Sequence, residues 1–265
     1  MYAAPTLALK YLRYYLGASN GKGHGLHSPF VFDFVTNVLN DRQTYPAYAT
    51  VESLRSRLLK DQRVLPVLDL GAGSGLNQSN ERKIAAIARH AAKPKKLGQL
   101  LYRMVQYYQP QTLIELGTSL GITTAYLAKA APAAQLMTIE GSPAIAETAA
   151  VNLKELAIEN VKLITGNFDD QLPVVLESLS GVDFAFVDGN HREQPTIQYF
   201  EALLKKVQNN SILVFDDIHW SREMESAWET IRKHPAVRCT IDLFFIGIVV
   251  FRQEFREKQH FVIRH

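Results

Sequence analysis

The sequence predicts a doubly wound α/β fold: a mostly parallel, seven-stranded sheet whose last strand is reversed, preceded by an N-terminal helical layer. Three observations carry this. From residue 111 onward, short apolar runs alternate with amphipathic segments, the pattern of strand–helix–strand units. The last two apolar runs are joined by too few residues for a crossover helix, so they must pair antiparallel. Residues 1–110 read instead as helices separated by Gly- and Pro-containing breaks.

In chain order, Leu7–Leu16 is a short helix, followed by a glycine-rich loop over Gly17–Gly25. Ser28-Pro29 then supplies a cap and a first helical residue for a helix over Phe30–Leu39. Residues 50–60 and 81–92 also read as helices, the second broken by Pro94, and Leu97–Tyr108 as another, ended by Pro110. Beyond it, strands are expected at Thr112–Leu116, Gln135–Glu140, Val161–Thr165, Val182–Asp188, Ser211–Asp217, Val237–Phe244 and Ile246–Arg252. Helices fall between them at Gly121–Lys129, from Ser142-Pro143 to about Leu156, at Pro173–Leu179, Thr196–Val207 and Ser221–Lys233. This divides the chain into an N-terminal helical extension, 1–110, and a catalytic part, 111–265.

Composition narrows the classes. With 47% hydrophobic and 21% charged residues over 265 positions, a packed core forms and global disorder is excluded. The longest apolar stretch, Leu243–Phe251, has nine residues, too few to span a bilayer, and the N-terminus has no signal-peptide order. The lone Cys239 excludes an internal disulfide and a cysteine-based zinc site. A soluble cytoplasmic protein without membrane partners is the expectation. Net charge divides as +9 over residues 1–110 and −6 over 111–265. The basic part is compatible with an anionic partner, but Arg55, Arg57, Lys60 and Arg63 also fit a solvated helix face. Homodimerisation is compatible with the chain and specified by no residue pattern.

Two segments compete as a nucleotide-binding turn, VLDLGAGSG at Val67–Gly75 and TLIELGTSLG at Thr112–Gly121. Such a turn needs glycines for close backbone approach, a helix N-terminus for an anionic group, and an acid at the end of the next strand for the ribose hydroxyls. Glu140 ends MTIE, 23 positions after Gly117, whereas the equivalent place after Gly75 is the basic KPKKLG. Gly117–Gly121 is therefore the cofactor turn, and Gly71–Gly75 a substrate-side or purely structural loop. Neither has the G-x-G-x-x-G spacing of a pyrophosphate site, which disfavours a dehydrogenase and suits a carboxylate-bearing ligand such as S-adenosylmethionine.

ELGTSLGITTAYLA, TIEGSPAIAETAAVNL, FVDGNH and ILVFDDIHW, in this order over about 112–252, resemble the motifs of class I S-adenosylmethionine-dependent methyltransferases. The DGNH and DD elements are similar to those of metal-dependent small-molecule O-methyltransferases. The resemblance implies the Rossmann-like methyltransferase sheet. It implies that Glu115, Gly117, Thr118, Ser119 and Gly121 surround the methionine end of the cofactor. By the same resemblance Glu140 holds the ribose, Gly141 and Ser142 lie by the adenosine, and Asn167 and Phe168 meet the adenine, with Asp188 also beside the cofactor.

Methyl transfer is displacement at a sulfonium carbon, so the enzyme must align a hydroxyl and remove its proton. Asp188 ends one strand and Asp216 and Asp217 the next, so all three open on the carboxyl-edge crevice. Such acids repel one another unless donors or a cation compensate, and hard oxygens suit Mg²⁺, Mn²⁺ or Ca²⁺. The resemblance implies Asp188, Asp216 and Asp217 as the metal set. The plainer alternative is that Asp216 or Asp217 caps the helix near Ser221. Asn190 stands where some relatives have an acid and cannot act as a base, leaving His191 or His219 for that role. His24 and His27 read as a turn at the mouth of the site, Trp228 as core and Trp220 as pocket wall. Two rivals stand beside this reading. One is the same fold acting on nucleic acid or protein, although the Asn/Asp-Pro-Pro-aromatic sequence common in amino-methylating enzymes is absent. The other is a cofactor-binding protein without turnover.

Overall fold

The computed structural model describes residues 1–19, 21, 27–68 and 80–265, with Asn80 by its backbone alone. The predicted Gly71–Gly75 loop, His24 and most of the Gly17–Gly25 loop lie outside the described residues. By contacts the chain forms two compact units, one of residues 1–41 and 176–265, the other of residues 42–175.

The second unit contains α3 (Pro46–Leu58), β1 (Val64–Val67), β2 (Asn80–Lys83), α4 (Ile84–His90), α5 (Lys95–Tyr108), β3 (Thr112–Leu116), α6 (Ile122–Ala130), β4 (Gln135–Glu140), α7 (Pro143–Glu155) and β5 (Val161–Thr165). Strands β3, β4 and β5 are consecutive and parallel, with Leu116 opposite Ile139 and Glu140 opposite Thr165. β3 and β4 are buried along nearly their whole length, as a sheet covered on both faces requires. The sequence-expected helix 81–92 begins only at Ile84, because Asn80–Lys83 pairs antiparallel with Val64–Val67. The N–H groups of Ile84 and Ala85 then donate to Arg63 and Asp61 carbonyls, which satisfies the start of α4. Helix α5 ends at Gln109 in the left-handed conformation, just before Pro110. Its Gly98 lies against the Tyr126 ring, where an added Cβ would come within 2.7 Å.

The first unit contains α1 (Ala4–Gly17), α2 (Pro29–Phe34) continuing into a π-helical turn (Val35–Leu39), β6 (Val182–Val187), α9 (Glu193–Leu204), β7 (Val207–Asp216), α10 (Arg222–Lys233), β8 (Cys239–Asp242), β9 (Ile246–Val250) and β10 (Gln259–Val262). Helix α8 (Phe168–Glu177) links the units. The strand order here is β10-β8-β9-β7-β6, with β6 and β7 parallel and β9 antiparallel to both β7 and β8. The reversed strand is therefore β9, as the short β8–β9 connection requires. All seven expected strands form, and β10 joins them as an eighth, parallel to β8.

Ser28 caps α2 by accepting from the Val31 N–H, and Ser221 caps α10 by accepting from the Met224 N–H. Ser142 does not cap α7: its Oγ accepts from the Leu68 N–H instead, 3.2 Å away. Strand β7 starts four residues before the expected Ser211, across a bulge that Ser211 stitches by accepting from Gln208 N–H and donating to the Val182 carbonyl. Helix α8 starts at Phe168 rather than Pro173, since Asn167 and two first-turn acids favour its N-terminus. Phe184, Phe186, Phe200, Phe215 and Trp228 are buried in this unit's core. No described helix is long and apolar enough to cross a membrane.

Candidate cofactor turn and acidic cluster

Between β3 and α6 the backbone turns through three left-handed residues, Gly117 (φ 99°), Ser119 (φ 48°) and Gly121 (φ 81°). Glycine adopts this region without the Cβ penalty. At Gly121 an added Cβ would meet Leu153 and Ala149 only at ordinary contact, so conformation rather than space requires the glycine. The turn hangs on β4. The Gly117 and Thr118 N–H groups donate to the Ile139 carbonyl at 3.0 and 3.3 Å, and Gly121 N–H closes onto the Thr118 carbonyl at 2.9 Å. Helix α6 then starts, presenting the N-terminal N–H groups that bind anions.

Glu140 locks this turn to the next one. Its Oε2 accepts from Ser119 N–H at 2.8 Å and its Oε1 from Ser142 N–H at 2.9 Å. Both are charge-assisted bonds, each contributing about 1.5–3 kcal/mol. Gly141 lies half-buried between them. The Glu140 carbonyl in turn accepts from Gly166 N–H at 2.9 Å, which brings Asn167 and Phe168 to the same sheet edge. Asn167 is committed locally, its Oδ1 accepting from Asp169 N–H. The residues expected around a nucleoside ligand thus gather at the carboxyl ends of β3, β4 and β5.

Below the turn, Glu115 is wholly buried. Its Oε2 accepts from Thr124 at 2.6 Å and from Thr138 at 2.7 Å, and the Thr138 hydroxyl also meets that of Thr118 at 2.6 Å. Desolvation pushes its carboxyl up to about 7, against the opposing pull of the two threonines and with a further push from Glu140.

In the other unit Asp188 follows β6 and Asp216 ends β7, on parallel neighbours where Val187 faces Phe215. Ligand atoms of Asp188, Asp216 and His191 lie within 4.8 Å of one another, His191 Nε2 standing 3.6 Å from Asp188 Oδ1. The two carboxylates offer hard oxygen ligands that fit a divalent cation of the Mg²⁺ or Mn²⁺ kind, with the imidazole beside them. Asp217 is not in that group. After β7 the chain enters a left-handed residue (φ 53°), and the Asp217 N–H donates to the Phe245 carbonyl. Asp217 instead lines a small recess with Leu7, His219, Trp220, Phe244 and Phe245. Asn190 is held by Tyr199 and Arg192, its Nδ2 donating to the Tyr199 hydroxyl and its Oδ1 accepting from Arg192 Nε.

His219 is clasped between two carboxylates. Its Nε2 lies 2.8 Å from Asp242 and its Nδ1 3.1 Å from Glu225, while the ring stacks on Phe244 at 5.1 Å. Burial opposes charge on the ring, but hydrogen bonds and attraction to Asp242 and Glu225 outweigh it and raise its proton affinity above the ordinary histidine value. With both nitrogens engaged, this ring is placed to hold a proton rather than to accept one. Glu225 also takes the Tyr2 hydroxyl at 2.7 Å and Lys10 Nζ at 2.9 Å, tying α1 to α10. These partners lie more than 200 positions apart, beyond any local signal in the sequence.

A parallel strand, a left-handed glycine turn and a helix, with an acid ending the next strand, form the kind of turn that doubly wound α/β folds use for nucleotide ligands. Residues 114–218 match the family model of a methyltransferase domain. Two curated relatives are catechol O-methyltransferases. That of Niastella koreensis is 30% identical over 46% of this chain and 55% of its own length. That of Mycobacterium tuberculosis is 26% identical over 57% of this chain and 66% of its own. The chain thus spans a little over half to just under two thirds of these relatives. The O-methyltransferase of Bacillus cereus, solved in complex with SAH, shares the fold at TM-score 0.56 and 21% identity, over 83% of this chain and 97% of that one. Residues 114–218 are thus similar to a methyltransferase domain, and the two curated relatives that match the chain in part are O-methyltransferases.

Proposed function

We propose that this protein transfers the methyl group of S-adenosylmethionine to a hydroxyl of a small molecule, with a divalent cation held by Asp188 and Asp216. The observation that carries the reading is Glu140, which ends β4 and fastens the left-handed turn at Ser119 to the next loop at Ser142. Gly117, Thr118, Ser119 and Gly121 would hold the methionine end, with Glu115 beneath. Glu140 would take the ribose, Gly141 and Ser142 the adenosine, and Asn167 and Phe168 the adenine. The cofactor supplies a methyl group already bound to a good leaving group. A cation beside the acids would favour the ionised form of the acceptor hydroxyl.

Asp188 and Asp216 orient the acceptor oxygen, and His191 beside Asp188 receives its proton. His219 is not assigned that proton, because Asp242 and Glu225 occupy its nitrogens. The geometry favours Asp188 and Asp216 over Asp217 for the cation. Residues 111–265 carry these side chains, and residues 1–110 are an extension of that catalytic part. The names of the curated relatives support a small-molecule acceptor rather than nucleic acid.

Calorimetry with S-adenosylmethionine and S-adenosylhomocysteine tests the cofactor assignment: both should bind wild type, and Glu140→Ala more weakly. Turnover across a panel of hydroxylated small molecules, with and without chelator, tests the rest. Absence of binding heat, or chelator-insensitive turnover, would remove the first or the second part respectively.

A further inference from the structure

The methyl-transfer reading assigns Glu115 no more than a place beneath the cofactor. Three observations require more of it. First, the side chain is fully buried, and among the described residues its Oε1 has no hydrogen-bond partner. A buried acceptor left unpaired is destabilising, and more so when it is charged. Second, Oε2 is engaged by two hydroxyls, Thr124 of α6 and Thr138 of β4. Third, Thr138 is the middle of a hydroxyl chain, Thr118–Thr138–Glu115, with steps of 2.6 and 2.7 Å. Its outer member, Thr118, belongs to the glycine turn itself.

A hydroxyl carries one proton, so such a chain has a direction. With Glu115 ionised, Thr138 donates to it and Thr118 donates to Thr138, leaving Thr118 with accepting lone pairs on its outer side. With Glu115 protonated on Oε2, the acid donates to Thr138, Thr138 to Thr118, and the Thr118 hydroxyl then donates outward. The charge of a buried acid is thereby expressed as the donor or acceptor sense of a turn residue.

We infer that Glu115 is a cation-responsive positioning residue: it is protonated when the turn is empty and loses its proton to solvent when an organic cation, an ammonium or a sulfonium, occupies the turn. The inference rests on the proposed cofactor reading and deepens it. A cation near the turn favours the ionised acid, since opposite charge within about 4–6 Å stabilises the charged form. The groups facing Glu115 are Thr118 of the turn, Thr124 of α6, Thr138 of β4 and the carboxylate of Glu140. Glu140 raises the proton affinity of Glu115, and neutralising its field by a bound cation acts in the same direction as direct attraction. The carboxyl, pushed up to about 7, is poised for this exchange near neutrality. No bond other than O–H changes, and the proton leaves to the buffer.

The test is titration calorimetry of S-adenosylmethionine and S-adenosylhomocysteine into the full chain at pH 7, in buffers of small and large ionisation enthalpy. Wild type should release about half a proton more per site than Glu115→Gln, and its affinity, relative to that variant, should rise about tenfold from pH 6 to pH 8. In the ligand-free protein, infrared difference spectra should show a protonated carboxyl band lost between those pH values and missing from Glu115→Gln. If Glu115→Gln fails to fold, the wild-type band and the buffer dependence still decide the matter. Binding with equal proton release in both proteins, or a ligand-free protein with no such band, overturns this inference alone. Absence of any binding heat overturns it together with the cofactor reading.

Discussion

His219→Phe isolates the clasp between α1, α10 and β8. Phenylalanine keeps the stack on Phe244 but removes both ring nitrogens. Asp242, whose side chain is only 6% exposed, then loses its 2.8 Å partner and keeps the Phe244 N–H. A charge-assisted bond of this kind contributes about 1.5–3 kcal/mol. Glu225 keeps Lys10 and Tyr2, so the loss on that side is about 0.5 kcal/mol. The expected destabilisation is about 2–3 kcal/mol at pH 6. Because the folded-state proton affinity of His219 is raised, its contribution is complete below an unfolded pKa of about 6.5 and is lost as pH rises through the higher folded value. The gap between wild type and variant should therefore narrow between pH 6 and pH 9. Urea unfolding followed by tryptophan fluorescence reads this directly, since Trp220 and Trp228 both belong to the same unit as His219. A gap under about 0.5 kcal/mol at pH 6, or one that does not narrow, would refute the account of His219 as a charged clasp.

Glu140→Ala should weaken S-adenosylhomocysteine binding by roughly 1–3 kcal/mol, about five- to 150-fold, as read by calorimetry; unchanged affinity removes Glu140 from the site. Asp216→Asn should weaken Mn²⁺ binding at least tenfold by electron paramagnetic resonance while sparing S-adenosylhomocysteine affinity; equal Mn²⁺ affinity would leave the Asp188–Asp216–His191 group without a cation role. Gly247→Ala places a Cβ within 2.5 Å of the Trp228 ring, and overpacking there should cost about 1–3 kcal/mol in denaturant unfolding, with a changed tryptophan spectrum. A neutral outcome would mean that the ring has room to shift.

Strands β3, β4 and β5 fall on the residues that short runs bounded by turn residues mark out, β3 and β4 mostly buried and β5 only partly. The left-handed turn at Gly117–Gly121 and the acid that fastens it were equally legible, since glycine spacing and a following acid are local features. What escaped was set by distant partners. Asn80–Lys83 has the composition of a helix start and becomes a strand only because Val64–Val67 lies beside it. Gln259–Val262 is too short and too polar to announce itself, and it is ordered along Cys239–Asp242. His191, three residues after Asp188 in one loop, is a candidate that the sequence itself marks; His219 could not have been placed between Asp242 and Glu225, because fold topology alone joins them.

The first unit is built from both ends of the sequence, with residues 42–175 inserted between its halves. During synthesis, residue 41 is added roughly 7–27 s before residue 176, at about 5–20 residues per second. Throughout that interval α1 lacks Glu225 of α10 and Phe244 of the β8–β9 turn, its partners in the finished unit. The bridge from Ser19 to Ile263 joins the two sequence segments of this unit. The first unit therefore cannot close until residues 176–265 are made, whereas the β3–β4–β5 unit is complete in sequence before them.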